Sequence, residues 1–284
     1  MVKLLPHEIA RLKHLSSEFL HWFSGFSDGE TCFNINLSKT KNSVKFIFRI
    51  EIHKDDILVL QKIANNLGVG NIFKSTTRDT VSYEVSKFDD IINVIIPIFK
   101  YTRLITEKRK DFVNWVKAIE IKANSPKRFK TGDSRILTND QLNTIKIIKN
   151  QMNKGRLNYL YQLNLDPGEI IPNINGYCLI GFIEGDGTFY LESYNYPRFS
   201  IGQNAFSVAS ILSIKNFFSL LSYGSTNYNF TVETKNIKSK GTFTYKKNLT
   251  LFPYSIHTLI CFFLLFFTLL FRIILFSNYK ISRF

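Results

Sequence analysis

An α+β fold built twice along one chain is what the sequence predicts, with an αββαββα order in each repeat. Three observations predict it. An unusual helix end occurs twice: Phe23-Ser24-Gly25-Phe26-Ser27-Asp28-Gly29-Glu30-Thr31-Cys32-Phe33 is echoed by Leu179-Ile180-Gly181-Phe182-Ile183-Glu184-Gly185-Asp186-Gly187-Thr188-Phe189. One offset, 156 residues, separates Gly25 from Gly181, Gly29 from Gly185, Glu30 from Asp186 and Phe33 from Phe189. Each copy runs into segments that alternate apolar and polar residues, the pattern of a half-buried strand. Val69-Gly70 and Tyr223-Gly224 then occupy like places at an offset of 154, so the order of elements repeats and not only the motif.

The elements follow in order. Residues 1–17 read as a short helical lead-in, and Phe19 to Gly29 as the first special helix. In Cys32–Lys39, Phe33, Ile35 and Leu37 alternate with Asn34, Asn36 and Ser38. In Ser43–His53, Val44, Phe46, Phe48, Ile50 and Ile52 share one face, and Ser43, Lys45, Arg49, Glu51 and His53 the other, with Ile47 breaking rank. Asp55 or Asp56 is placed to cap a helix whose stripe is Ile57, Leu60, Ile63, Ala64 and Leu67, and Gly68 stops it. Strands are predicted at Asn71–Ser75 and Thr80–Ser86, then helices at Asp89–Phe99 and Thr106–Ala123. The second of these turns Phe112, Trp115, Val116 and Ile119 inward and Glu107, Lys108, Arg109, Lys110 and Lys117 outward. Asn124–Asp133 reads as a loop, and Thr138 caps a helix through Met152. Pro167, Gly168, Pro172 and Gly176 break a connector. The second repeat restarts at Tyr177. Its strands are expected at Thr188–Tyr194, Arg198–Asn204, Ser225–Thr234 and Gly241–Thr250, its helix at Ser207–Leu221, and a basic loop at Lys235–Lys240.

Composition narrows the function. The 284 residues are 45% hydrophobic, enough for a core and too many for a disordered chain. A formal charge of +15 favours a polyanionic partner, nucleic acid or an anionic membrane. Cys32, Cys178 and Cys261 are scattered with no C-x-x-C, so zinc ribbon and disulfide framework are both unsupported and a reducing compartment is the default. The five histidines make no i, i+4 ligand pair. The bias toward Phe, Tyr, Ile, Asn and Lys is that of an A+T-rich genome, of which organelle genomes are one source.

Two glycines four apart lie on one face of a helix, and each costs roughly 1 kcal/mol relative to Ala. Gly25 with Gly29, and Gly181 with Gly185, therefore suggest two helices packed backbone to backbone. Glu30 and Asp186 then end the helices, where the macrodipole already places negative charge. Two carboxylates brought close need a cation between them. Hard oxygen ligands select Mg²⁺, Mn²⁺ or Ca²⁺ over zinc. Asp28 and Glu184 point elsewhere and read as structural. The polar strand faces supply candidate DNA contacts, Asn34, Asn36, Lys45, Arg49, Arg198, Gln203 and Asn204, with Lys235, Lys238 and Lys240 from the basic loop. A two-stranded ribbon fits the major groove of B-DNA.

The paired motifs resemble the LAGLIDADG signature of homing endonucleases in its two-motif, single-chain form. Leu179, Gly181, Phe182, Glu184, Gly185, Asp186 and Gly187 fill the pattern in order. The first copy departs from it: Phe23 replaces the leading Leu, Glu30 stands for the metal-binding Asp, and Thr31 stands where Gly is usual. The resemblance covers roughly residues 18–255. Leu137–Arg156, with Met152-Asn153 and Arg156, also resembles the inter-repeat region of mitochondrial group I intron members.

The resemblance implies a saddle of two antiparallel sheets with the two motif helices packed at the repeat interface. It implies Glu30 and Asp186 as metal-binding catalytic acids, one per strand cut, with Mg²⁺ or Mn²⁺ and a basic residue near the site, for which Lys108 is the candidate. The expected protein is a monomeric, mitochondrial, site-specific double-strand DNA endonuclease encoded by a group I intron. The alternative is a maturase whose partner is its own intron RNA. The expected division is a first repeat with inter-repeat helices over 1–155, a linker over 156–176 and a second repeat over 177–284.

The tail departs from the pattern. Leu259–Phe276 is apolar apart from Thr268 and Arg272, where the first repeat has the charged Lys100–Lys117. Eighteen such residues approach the length of a membrane span, and Arg272 would cost roughly 2.5–3.5 kcal/mol near its middle. A terminal core helix, a membrane anchor and a stretch no longer under selection for the original fold all remain open.

Overall fold

Ser16 starts the first long helix. Its hydroxyl accepts a hydrogen bond from the Phe19 N–H, so helix α2 runs Ser17–Glu30, two residues ahead of the expected Phe19. Before it lies α1 (Pro6–Leu12). The computed structural model describes residues 6–38, 43–127, 129, 135–153, 174–192, 196–204, 207–221, 229–239 and 242–252. The chain divides into two compact units, Met1–Asp166 and Pro167–Phe284.

In the first unit α2 feeds β1 (Thr31–Leu37), which pairs antiparallel with β2 (Val44–His53) in the register Thr31 to Ile50 through Leu37 to Val44. With β3 (Asn71–Lys74) and β4 (Thr80–Val85) the sheet has the order β1-β2-β4-β3. The period-two expectation holds closely. Phe33, Ile35, Val44, Phe46, Phe48, Ile50, Val81, Tyr83 and Val85 are buried, each on the same side of the pleat. Phe33 is the hub of the core, its ring 5.2 Å from Trp115, 5.5 Å from Phe112, 5.7 Å from Phe99 and 5.8 Å from Phe48.

The entry to α3 (Ile57–Leu67) differs from the expectation. Neither Asp55 nor Asp56 makes a side-chain cap. The chain leaves β2 directly into a 3-10 turn, Lys54–Asp56, and the His53 ring accepts from the Asp55 N–H instead. The carboxylates thus fall inside the turn rather than ahead of it. Gly68 ends the helix at φ 65°, as a left-handed cap requires. The expected helix over Asp89–Phe99 is interrupted. α4 (Phe88–Asp90) passes through a π-helical turn, Ile91–Ile95, into α5 (Ile96–Tyr101), whose Pro97 has no N–H to offer the preceding turn.

α6 (Lys108–Ala123) packs Phe112, Trp115, Ala118 and Ile119 inward. Glu107, expected outside, is buried at the cap position, with the Lys110 ammonium 2.7 Å away. Lys122 is buried too: its Nζ donates to the Val44 carbonyl at 2.6 Å and lies over the Phe88 ring. α7 (Asn139–Asn150) opens on a full capping box between Thr138 and Gln141, as the Thr138 assignment anticipated.

The second unit repeats the first. α8 (Gly176–Asp186) is capped by the Asn175 side chain, which accepts from the N–H groups of Tyr177 and Cys178. Gly176 is therefore the first helical residue and not a breaker. β5 (Gly187–Glu192), β6 (Tyr196–Asn204), α9 (Val208–Leu221), β7 (Asn229–Ser239) and β8 (Thr242–Phe252) follow. The sheet order β5-β6-β8-β7 matches that of the first unit position for position.

Lys235–Ser239 do not form a loop. Lys235 to Ser239 continue β7, with Lys235 opposite Lys246 and Lys238 opposite Phe243. Charge alone does not break a strand when its neighbour can complete the ladder, and β8 is long enough to do so. Lys240, most of the 156–176 linker and the apolar 259–276 tail lie outside the described residues. Among the described residues no helix is long and apolar enough to cross a membrane.

Candidate active site and nucleic-acid face

Each motif helix ends on a carboxylate with no basic residue in its own last turn. The chain then turns at once into a strand: Thr31 and Gly187 are both extended, and their N–H groups close the last turn on Ser27 and Ile183. Glu30 and Asp186 are half-buried at these junctions. The motif glycines follow one pattern in both helices, Gly25 and Gly181 buried, Gly29 and Gly185 half-buried.

Lys108 compensates the first helix from outside. Its Nζ donates to the carbonyls of Ser27 at 3.2 Å and Gly29 at 2.9 Å, a cation set on the negative end of the dipole. Sequence reading had placed Lys108 on the outer face of α6; in the fold it is half-buried beside the Glu30 turn.

Asp28, read as structural, is buried and accepts three hydrogen bonds. They come from the Ile105 N–H at 2.6 Å, the Thr106 N–H at 3.2 Å and the Thr106 hydroxyl at 2.5 Å. Burial pushes its carboxyl up to about 6, while the bonds from Thr106 and Ile105 and the charge of Lys108 pull the other way. Three donors aimed at two oxygens favour the ionised form.

The second helix uses a different device. The Gln203 amide donates to Asp186 Oδ2 at 2.5 Å. Gln203 was expected among the DNA contacts, and the strand parity corrects that. It alternates in step with the buried Phe199 and Ile201, whereas Arg198 and Asn204 alternate with the other face. A residue on the helix side of the sheet reaches the helix end and not the outer surface.

Gly187 also has a steric reason to be glycine. A Cβ there would lie 2.5 Å from the Ile183 carbonyl oxygen and 2.9 Å from Ile183 Cγ2. Gly187→Ala is therefore expected to destabilise the second unit by about 1–3 kcal/mol, the usual penalty of overpacking, and denaturant unfolding checks it. The first unit carries Thr31 at this place. Its hydroxyl is buried and has no hydrogen-bond partner among the described residues.

The first sheet brings four of the expected DNA contacts onto one face. Asn36 pairs with Lys45, Asn34 with Ile47 and Cys32 with Arg49. Asn36 and Lys45 are exposed. Asn34 is half-buried and accepts from the Cys32 thiol through its side chain, while its carbonyl accepts from Trp115 Nε1. Arg49 is already engaged: its Nε donates to Glu84 at 2.6 Å, the guanidinium pairs with the same carboxylate, and Glu51 lies 3.8 Å away. In the second unit Arg198 stands opposite Tyr190 and Asn204 opposite Lys246.

Asn153, in the segment after α7, is pinned beside the first site in the left-handed conformation, φ 52°. Its side chain donates to the Phe33 carbonyl at 3.1 Å and accepts from the Cys32 thiol, and its N–H donates to Asp111. Asn tolerates that conformation better than most residues.

The carboxylate at each helix end is a hard oxygen donor, the kind that suits a hard divalent cation and not a thiolate metal.

Residues 23–119 match the LAGLIDADG endonuclease family. Cox1-I1b of Schizosaccharomyces pombe, a probable intron-encoded endonuclease, is 28% identical over 193 residues, covering 66% of this chain and 46% of that protein. RF1 of Saccharomyces cerevisiae, an uncharacterized mitochondrial protein, is 28% identical over 207 residues, covering 70% of this chain and 38% of that one. The chain thus spans less than half the length of either relative. Among solved structures, the LAGLIDADG homing endonuclease I-LtrWI bound to target DNA is similar at a TM-score of 0.61 and 25% identity, over 88% of this chain and 83% of that one.

Proposed function

We propose, from the match of residues 23–119 to the LAGLIDADG endonuclease family and the similarity to intron-encoded endonucleases, that the chain is an intron-encoded homing endonuclease that makes a double-strand break at one DNA site. The observation that carries the reading is the repeated junction. Two helices end on a carboxylate, and each feeds a four-stranded antiparallel sheet of the same strand order. A binding protein has no use for an acid at that position, where both the dipole and a nearby phosphate oppose it.

In this reading Glu30 and Asp186 hold the divalent ion, Mg²⁺ or Mn²⁺. The chemistry such an ion supplies, when bound, is activation of water and stabilisation of the leaving oxygen. Gln203 keeps the Asp186 carboxylate oriented, and Lys108 offsets the charge of the first helix end. Asn34, Asn36, Lys45 and Arg49 contact DNA from the first sheet, and Arg198, Asn204 and the basic run that holds Lys235, Lys238 and Lys240 contact it from the second repeat. One chain carries both acids, so a monomer suffices. The mitochondrial relatives support action in that compartment.

The test is cleavage of an end-labelled duplex spanning the uninterrupted insertion site. A double-strand cut is expected with Mg²⁺ or Mn²⁺ and none in EDTA, with binding retained in EDTA. Binding without cleavage in either metal would overturn the proposal.

A further inference from the structure

The two acids are held by unlike devices. On the first helix, Asp28 lies one offset of 156 residues before Glu184, yet the two positions differ: Asp28 is buried and Glu184 exposed. Asp28 joins the last turn of α2 to the start of α6. The Thr106 hydroxyl donates to Asp28 and accepts from the Lys108 N–H at 3.2 Å. The Lys108 ammonium then returns to the carbonyls of Ser27 and Gly29, on either side of Asp28. The contacts form a closed loop, and the residue after Gly29 is Glu30. On the second helix the corresponding acid, Asp186, is held by Gln203 from the neighbouring strand.

We propose that Asp28 is a positioning residue for the Glu30 carboxylate, acting through Thr106 and Lys108, and that it sets the cutting of the one DNA strand that Glu30 serves. The inference rests on the endonuclease reading. Its physical basis is geometric: a helix end held by five side-chain hydrogen bonds to the 105–108 segment keeps its terminal carboxylate in one place, and small misplacements at a reacting centre carry large rate penalties. Because Gln203 of β6 supports Asp186 within the second unit, loosening this loop leaves that support in place.

The experiment is strand-resolved cleavage of a duplex spanning the uninterrupted insertion site, labelled separately on each strand, in Mg²⁺. Asp28→Asn puts an amide nitrogen against at least one of the N–H donors. It is expected to slow one strand about 10–10²-fold, so that nicked product accumulates, while affinity measured in EDTA is unchanged. Thr106→Val keeps the shape, loses the bridging hydroxyl and should slow the same strand by less. That strand is the one also slowed by Glu30→Gln, and it is the one spared by Asp186→Asn. Equal slowing of both strands, or no slowing, would overturn the inference, and Thr106→Val decides the matter if Asp28→Asn does not fold. If the wild-type chain itself fails to cleave, it is the endonuclease reading that fails.

Discussion

Glu30→Gln and Asp186→Asn are each expected to lower double-strand cleavage by at least about 10³-fold, the scale seen when a group that stabilises transition-state charge is removed. Both changes keep the size of the side chain, remove its charge and turn one acceptor oxygen into an N–H donor. Each acid ends a helix whose dipole is already negative there. Neutralising it therefore relieves local repulsion, and the chain should fold at least as well. DNA affinity in EDTA should hold or tighten, because a carboxylate near a phosphate repels it when no metal intervenes. Nicking that survives should fall on one strand, and on opposite strands for the two variants. Parallel loss of cleavage and binding would instead mark the two residues as structural. Any role in folding intron RNA should survive both changes, since RNA contact needs no paired carboxylates.

The fold was legible where one physical signal dominated. Period two in Val44–His53 fixed which face of β2 is buried, because a slip of one residue would turn Phe46, Phe48 and Ile50 to solvent. The duplication carried the second sheet, whose order could be read from the first. Motif and spacing marked the two helix ends that carry Glu30 and Asp186, and Lys108 stands beside the first of them. The site was not legible at Gln203, because polar character was taken for outward direction. Strand parity, which the sequence does contain, places Gln203 with Ile201 and against Asp186. Arg49 shows the same limit in another form: its partner Glu84 is 35 residues away and becomes a neighbour only through the β2–β4 register. Asp28 was rightly assigned to structure, but its partners Ile105 and Thr106 lie more than 75 residues on, in a segment with no periodicity to announce it. Lys235–Ser239 failed for the opposite reason. A charged run was read as a loop, although Lys235–Ser239 have a strand partner of equal length.

Trp115→Ala is expected to cost the first unit about 3–5 kcal/mol, the range for removing a large buried aromatic side chain. Trp115 is fully buried, packs against Phe33 at 5.2 Å and Phe46 at 6.3 Å, and donates its Nε1–H to the Asn34 carbonyl at 3.0 Å. Truncation would leave a cavity at the hub of the core and also strip a donor from β1. Trp115→Phe separates the two contributions. It keeps most of the packing, loses the hydrogen bond and should cost about 1 kcal/mol for the bond plus a smaller packing loss. In a unit of this size each kcal/mol lowers Tm by about 2–4 °C, so the two variants are separable by melting. The change also reaches the site. Trp115 anchors the middle of α6 to β1, and Lys108 stands two turns earlier on the same helix with its ammonium on the Gly29 carbonyl. Loosening α6 should therefore slow cleavage more than it weakens DNA binding, because the sheet face with Asn36 and Lys45 does not depend on α6 for its register. Equal Tm losses for Trp115→Ala and Trp115→Phe would show that the hydrogen bond, and not the packed ring, holds α6 in place.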